Sequence, residues 1–254
     1  MLYNNRCDTI TAIIFLSGGH KMPDIKSEMK KAAAVEAAKA IKSGMVLGIG
    51  TGSTMVFFIE EIGRLIREGD LKDISGVPTS FQSSILSAEN GIKVLDFNDV
   101  DHIDMAIDGA DEADPHKNLI KGGGAAHTRE KLIDYFADKL IIVIDEGKRV
   151  KYLGENFPVP VEVIPQAYRF VLRELEKLGA SAELRIAVKK SGPVITDQGN
   201  FVLDARFKEI KEPAVLENHI NQLPGVLENG LFVNQTDLVI VGTRQEKAIK
   251  VIRF

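Results

Sequence analysis

The stretch that most constrains the fold runs from Ile103 to Lys131, IDMAIDGADEADPHKNLIKGGGAAHTREK. It opens as a short apolar strand (Ile103 to Ile107), breaks into the acidic turn Asp108-Gly-Ala-Asp111-Glu112, and crosses a polar loop to Lys121 and three consecutive glycines. Arg129, Glu130 and Lys131 then stand at a helix start, and the apolar run Lys139 to Ile144 reads as a buried strand. Strand, loop, helix and buried strand make one α/β unit, and its carboxylates, lysine and glycines all fall on the connections. Ligands of open α/β sheets bind at the carboxyl ends of the strands, so these connections are where a site belongs.

The rest of the chain extends the same pattern. From Ser27, MKKAAAVEAAKAIKSG reads as an alanine-rich helix closed by Gly44. The strand Met45 to Ile49 runs directly into Gly50-Thr-Gly-Ser-Thr54 and a helix, MVFFIEEIGRLIREG. Ile74 to Pro78, a helix over Ser80 to Asn90, and a strand over Ile92 to Phe97 follow. Together these predict a Rossmann-like, mainly parallel sheet flanked by helices. Pro158, Pro160 and Pro165 then mark a boundary. Beyond it come a strand (Val159 to Val163), a helix (Gln166 to Leu178) and two strands (Ala182 to Lys189; Pro193 to Phe207, interrupted at Asp197 to Asn200). A helix (Pro213 to Leu223) and a strand follow. That β-α-β-β-α-β order is ferredoxin-like. Leu238 to Gly242 reads as a buried strand returning to the first sheet. The expected organisation is an α/β domain of residues 23–154 plus 228–254, with a smaller α+β domain, 155–227, inserted before the last strand.

Residues 1–22 do not share this patterning. One apolar run, Ile10 to Leu16, follows a single Arg6, which is poor for an export signal. The expectation is a disordered, dispensable extension, with the working protein beginning near Met22. A net charge of -4 with interspersed signs argues against a nucleic-acid partner. No apolar run approaches the roughly 20 residues that span a bilayer. The single cysteine, Cys7, fits a reducing compartment, hence a cytoplasmic location.

Two kinds of chemistry are suggested by the connections. Strand, glycine-rich turn and helix at Gly50 to Thr54 is the layout of a phosphate cradle: backbone N–H groups converge, the helix dipole favours an anion, and hydroxyls add donors. A P-loop would need Lys where Gly52 stands, and the dinucleotide fingerprint would need Gly where Ser53 stands. One small phosphate suits the loop better than ATP or NAD. Asp108, Asp111, Glu112 and Asp114 fit a solvated turn, a divalent-metal site, or proton transfer on a small polyol. Lys121 beside three glycines favours the last, as a fixed positive charge where backbone can approach a ligand. Glu130 can point back over the preceding loop, because helical side chains tilt toward the N-terminus; a first-turn acid serving only the helix dipole is the plainer alternative. Lys148 sits past another strand's carboxyl end, where a surface lysine would be unremarked.

GIGTGST (48–54), DGADE (108–112) and KGGGAA-x-TREK (121–131) resemble the signatures of the type A ribose-5-phosphate isomerase family, and TDQGN (196–200) and LPGVLENGLF (223–232) agree. The similarity runs from about Glu28 to the end. It departs at the N-terminal extension, at a few extra residues around Arg64 to Asp73, and at His127, which stands in place of an apolar residue and is expected to touch none of the motif positions. The resemblance implies reversible interconversion of ribose 5-phosphate and ribulose 5-phosphate in the pentose phosphate pathway, without metal or cofactor, by a homodimer or homotetramer. It implies Glu130 as the base, with Asp108, Asp111 and Lys121 around the reacting end. Substrate contacts would come from Lys30, Thr51, Gly52, Ser53, Thr54, the run Asp108, Gly109, Ala110 and Asp111, the run Lys121, Gly122, Gly123 and Gly124, and Lys148. Which aspartate does which task the sequence leaves open. A sugar-phosphate-sensing domain without catalysis is opposed by intact Glu130, Asp108 and Lys121, and a nucleotide- or metal-using Rossmann enzyme by the failed fingerprints.

Overall fold

A computed structural model describes residues 24–245 and 248–254; the expectations for the first 22 residues lie outside them. Asp24 caps α1 (Ile25–Ala38), its side chain accepting the Lys26 N–H at 3.2 Å. Then follow β1 (Val46–Ile49), α2 (Ser53–Glu68), β2 (Ser75–Pro78), α3 (Phe81–Glu89) and β3 (Lys93–Val94). After them come β4 (Met105–Asp108), β5 (Glu112–Ala113), β6 (Leu119–Ile120), α4 (His127–Phe136) and β7 (Leu140–Asp145). Next are β8 (Val159–Val163), α5 (Tyr168–Lys177), β9 (Ser181–Leu184), β10 (Phe201–Arg206), α6 (Pro213–Asn221) and β11 (Val226–Asn229). The chain closes with β12 (Leu231–Phe232), β13 (Leu238–Gln245) and β14 (Ala248–Arg253).

Seven strands form the main sheet in the order β14-β13-β7-β4-β1-β2-β3, every neighbouring pair parallel except β13 and β14. From β1 the chain winds outward to β2 and β3, then returns to β1's other edge as β4 and winds outward again to β7 and β13. The direction therefore reverses between β1 and β4, and the crevice beyond their carboxyl ends is where such sheets bind ligands. Gly50 and Thr51 leave β1 there, and Asp108 to Asp111 leave β4. A second sheet, β11-β8-β10-β9, has antiparallel neighbours throughout, and its chain order β-α-β-β-α-β is the expected ferredoxin-like one.

Several expected boundaries differ, for local reasons. The first helix stops at Ala38, with Lys39 as its cap, and Gly44 (φ 85°) belongs to the turn beyond. Only Lys93 and Val94 pair with β2, and Phe97–Asp99 form a 3₁₀ turn begun by the Asp96 carboxylate. One strand of the smaller sheet ends earlier than expected, at Ser181–Leu184, and the next starts later, at Phe201–Arg206. The stretch between them closes on itself through an isolated bridge of Ile186 with Pro193 and the flanking Arg185 and Ala187 backbone bonds. Two strands, β13 and β14, rather than one return to the main sheet. The expected polar loop after Asp108 contains β5 and β6, which with β12 make a third, three-stranded sheet.

The main core is formed where α1 and α2 cover one face of the large sheet with residues such as Ala34, Ala37, Phe58, Ile62, Leu47 and Ile49. Small side chains let α1 lie against β13: a Cβ placed on Gly242 would stand 1.9 Å from the Met29 carbonyl oxygen. Gly242→Ala should therefore force the helix outward. Overpacking of this kind costs about 1–3 kcal/mol, and thermal denaturation should show a melting temperature lowered by several degrees. An unchanged transition would mean that the helix yields freely.

Candidate active site

Lys121 follows β6 directly, and its side chain passes beneath the carboxyl end of β4. Its Nζ stands 2.8 Å from Asp108 Oδ2, 3.3 Å from Glu130 Oε2 and 3.9 Å from Asp134 Oδ2, donates to the Gly109 carbonyl oxygen at 2.6 Å, and lies 5.3 Å from the centre of the Phe232 ring. Side-chain exposure is 2% for Lys121 and 0% for Asp108. Glu130 and Asp134 are one turn apart on α4, so a single helix face carries both carboxyls to the ammonium. Burial opposes the charge on Lys121, but Asp108, Glu130 and Asp134 outweigh it and raise its proton affinity above that of an ordinary lysine. Glu130 is shifted upward as well, first by burial and then by Asp108 and Asp111, with Lys121 pulling the other way. Asp134 is raised by burial and by Asp108. Three carboxyls share one cation, which favours the protonated form of Glu130 and Asp134.

The two aspartates of the DGAD turn are held differently. Asp108 Oδ1 accepts the N–H groups of Gly109 (2.6 Å) and Thr51 (3.1 Å), while Oδ2 faces Lys121. Asp111 is partly open: its Oδ2 accepts the Gly123 N–H at 2.7 Å, and its Oδ1 lies 3.5 Å from Lys148 Nζ. The neighbouring acids are structural. Glu112 is buried and accepts three backbone N–H groups, of Gly154, Asn156 and Phe157 (2.6, 2.5 and 2.7 Å). Asp114 accepts those of His116 and Asn118, both at 2.8 Å.

At the other side stands the start of α2. Its N-cap, Gly52, has φ 111° and no side chain to satisfy the first-turn N–H groups, and no acid occupies that turn. An uncapped helix N-terminus of this kind favours an anion. Lys30 on α1 adds a cation, its Nζ donating to Ser53 Oγ at 2.9 Å. Thr51 departs from expectation. Its hydroxyl is bonded to Thr79 (2.7 Å) and Ser80 (2.6 Å), so it ties the glycine turn to the start of α3 rather than adding a donor for a ligand.

One cavity of about 160 Å³ joins these groups. Lys30, Thr51, Gly52, Ser53, Thr54, Gly109, Ala110, Asp111, Lys121, Gly122, Gly123, Gly124, Glu130 and Lys148 all line it, whereas Asp108 lies beneath its floor. Lys26 and Asp145 also line it and were not foreseen. Lys26 precedes Lys30 by one helical turn and Asp145 ends β7, so their spacing was the available signal. His127 also differs from expectation: it is fully buried, and a Cβ on Gly122 would meet its ring at 2.7 Å, so it packs against a motif glycine. Burial, then the charges of Arg185 and Lys131, push its pKa down to about 3, leaving a neutral ring. Among the described residues, no group of three or more His, Cys, Asp and Glu is placed to hold a metal ion, and no helix is long and apolar enough to cross a membrane.

A family model for Ribose 5-phosphate isomerase A (phosphoriboisomerase A) matches residues 75–246. Ribose-5-phosphate isomerase A of Thermococcus kodakarensis is 56% identical over 216 residues, 85% of this chain and 94% of the relative. That of a Synechococcus species is 55% identical over 231 residues, covering 91% of this chain and all of the relative (100%). Among solved structures, a D-ribose-5-phosphate isomerase in complex with phospho-erythronic acid superposes with a TM-score of 0.85 at 51% identity, covering 88% of this chain and 97% of that one. Ribose 5-phosphate isomerase A from Methanocaldococcus jannaschii gives 0.84 at 45% identity, covering 90% and 100%. A match of this extent, over a chain whose three motifs converge on one cavity, places the protein in the ribose 5-phosphate isomerase A family.

Proposed function

We propose that the protein interconverts ribose 5-phosphate and ribulose 5-phosphate by proton transfer through an enediolate, with the work divided among the cavity residues as follows. The observation that carries this reading is one buried ammonium, Lys121, facing Asp108 and Glu130 in the same cavity as an uncapped helix N-terminus with an adjacent lysine. The phosphate sits at Ser53 and Thr54 against the α2 dipole and Lys30. Glu130, as carboxylate, takes the proton from C2 and returns it to C1. The charge that develops on O1 and O2 is stabilised by Lys121, whose partners hold it in place before reaction. A proton must also move between O1 and O2, and Asp111 is the carboxyl within reach, because Asp108 is enclosed and anchors Lys121. Lys148, beside Asp111, adds positive charge along the sugar. The phospho-erythronic acid held by the structural relative is a phosphorylated sugar acid, and its carboxylate resembles an enediolate in charge, which supports the assignment.

The same reading places this chemistry in the non-oxidative pentose phosphate pathway, in the cytoplasm, and in a homodimer or homotetramer. The large apolar side chains Phe81 and Ile85 on α3 and Leu132 on α4, each more than half exposed, support self-association. The larger unit (23–154 with 228–254) carries the chemistry and the smaller one (155–227) braces it.

Conversion of ribose 5-phosphate to a ketose by the purified protein is the direct test. Glu130→Gln keeps the size of the side chain but cannot accept the C2 proton. Loss of a general base costs on the order of 10²–10⁴ in rate, and exchange of the C2 hydrogen with solvent deuterium, followed by NMR, should fall in step. Undiminished exchange would move the base to Asp111.

The pH dependence has a defined sign. A base works only when deprotonated, and burial raises Glu130 above the 4.5 of a free carboxyl. Turnover per enzyme at low substrate should therefore rise with pH through an apparent pKa well above that value, one belonging to the coupled cluster rather than to Glu130 alone. A limb at the ordinary carboxylate position would show that the resting base is not buried with its neighbours.

Substitution at the helix start separates phosphate binding from chemistry. Ser53→Ala and Thr54→Val should weaken ribose 5-phosphate more than unphosphorylated ribose, whereas Thr51→Ala should act chiefly on stability. Equal losses on both sugars would make the turn purely structural.

A further inference from the structure

The glycine run between Lys121 and the base is gripped from outside the cavity by one side chain that no step above uses. Arg185 follows β9, and its backbone is paired on both sides: its N–H donates to the Val202 carbonyl oxygen and its own carbonyl oxygen accepts from the Val194 N–H, both at 2.9 Å. Its guanidinium is forked onto Asp204, Nε to Oδ2 at 2.8 Å and Nη2 to Oδ1 at 2.5 Å. The remaining nitrogen, Nη1, donates to the carbonyl oxygens of Gly122 (2.8 Å) and Gly123 (3.2 Å).

A peptide unit is planar and trans, so the oxygen of one residue and the N–H of the next point in opposite directions. Holding the Gly122 oxygen toward Arg185 therefore turns the Gly123 N–H the other way, and that N–H meets cavity-lining Asp111 at 2.7 Å. The same reasoning applied to the next peptide turns the Gly124 N–H toward the cavity side, where it has no acceptor among the described residues. Glycine at 122, with φ 104°, would adopt other conformations at little cost once the grip was released. Only a planar fork can hold a carboxylate with two nitrogens and reach two carbonyls with a third, which an ammonium cannot do.

We propose that Arg185 is a positioning residue for the isomerisation: locked by Asp204, it fixes the Gly122 and Gly123 peptides so that Asp111 and the Gly124 N–H face the reacting end of the sugar. The smaller sheet thereby orients the glycine segment that joins β6 to α4. A second contact points the same way, since buried Glu162 on β8 accepts from Thr128 at 2.5 Å, two residues before the base.

The inference rests on the isomerase reading, and wild-type turnover of ribose 5-phosphate in the same assay tests that reading separately. Arg185→Met, Arg185→Lys and Asp204→Asn in the full chain should each lower kcat, Arg185→Met by on the order of 10–100-fold, the scale of a misplaced catalytic group. Phospho-erythronic acid, which reaches the reacting end, should lose affinity in parallel, while competitive inhibition by inorganic phosphate, bound at the α2 terminus, should stay within about two-fold. Methylguanidinium added to Arg185→Met should restore part of the rate. Should Arg185→Met not fold, Arg185→Lys and Asp204→Asn decide through the same split between the two inhibitors. Unchanged kcat, or equal loss of phosphate and phospho-erythronic acid affinity without rescue, would show that Arg185 only stabilises the fold and would overturn the proposal.

Discussion

The structure around the cavity depends on one buried ammonium. Lys121 is enclosed by the carboxyls of Asp108, Glu130 and Asp134, the Gly109 carbonyl oxygen and the Phe232 ring. Burying charge costs several kcal/mol per ion after relaxation, and removal of one partner leaves the other uncompensated. The elements that deliver these groups, β4, β6 and α4, are therefore locked to one another through the cation. The same contact sets the chemistry. With more carboxyls than cations in a buried cluster, Glu130 is pushed toward holding a proton, as suits the proposed base, since a general base is most effective when its pKa lies near the operating pH.

Around that cluster, the fold supplies charge by position rather than by number of charged residues. The reversal of strand order between β1 and β4 opens the crevice. The bare start of α2 offers backbone donors there, and Asp108 ties the two sides together by accepting the Thr51 N–H across them. The three-stranded sheet carries Lys121, and the four-stranded sheet reaches the glycine run through Arg185 and α4 through Glu162. All three sheets thus act on one segment, Lys121 to Glu130.

How much of this was legible depended on whether a residue's role is set nearby in the chain. The glycine turn, the DGAD turn and the lysine before three glycines are local constellations at strand ends, and the cavity lining draws on each of them, Asp108 excepted. Glu112 stood in the same acidic cluster as Asp111, yet it opens β5 and its carboxylate turns inward to the 154–157 backbone. Thr51 looked like a phosphate donor until Thr79 and Ser80 claimed its hydroxyl. The two-residue strands β5, β6 and β12 have too little pattern to be seen and exist because their partners do.

By itself, then, the sequence determined the alternation of apolar strands and helices, the parallel class of the main sheet, the ferredoxin-like order of the smaller one, and most of the motif residues that line the cavity. Periodicity and loop composition are local properties, written in neighbouring residues. Tertiary structure alone decided that Asp134 joins the Lys121 cluster, that Asp108 is sealed while Asp111 stays open, that His127 packs neutral against Gly122, and that Arg185 reaches across from another sheet. Each of these turns on burial or on a partner far away in the chain, and both burial and distant partners come into being only when the sheets pack together.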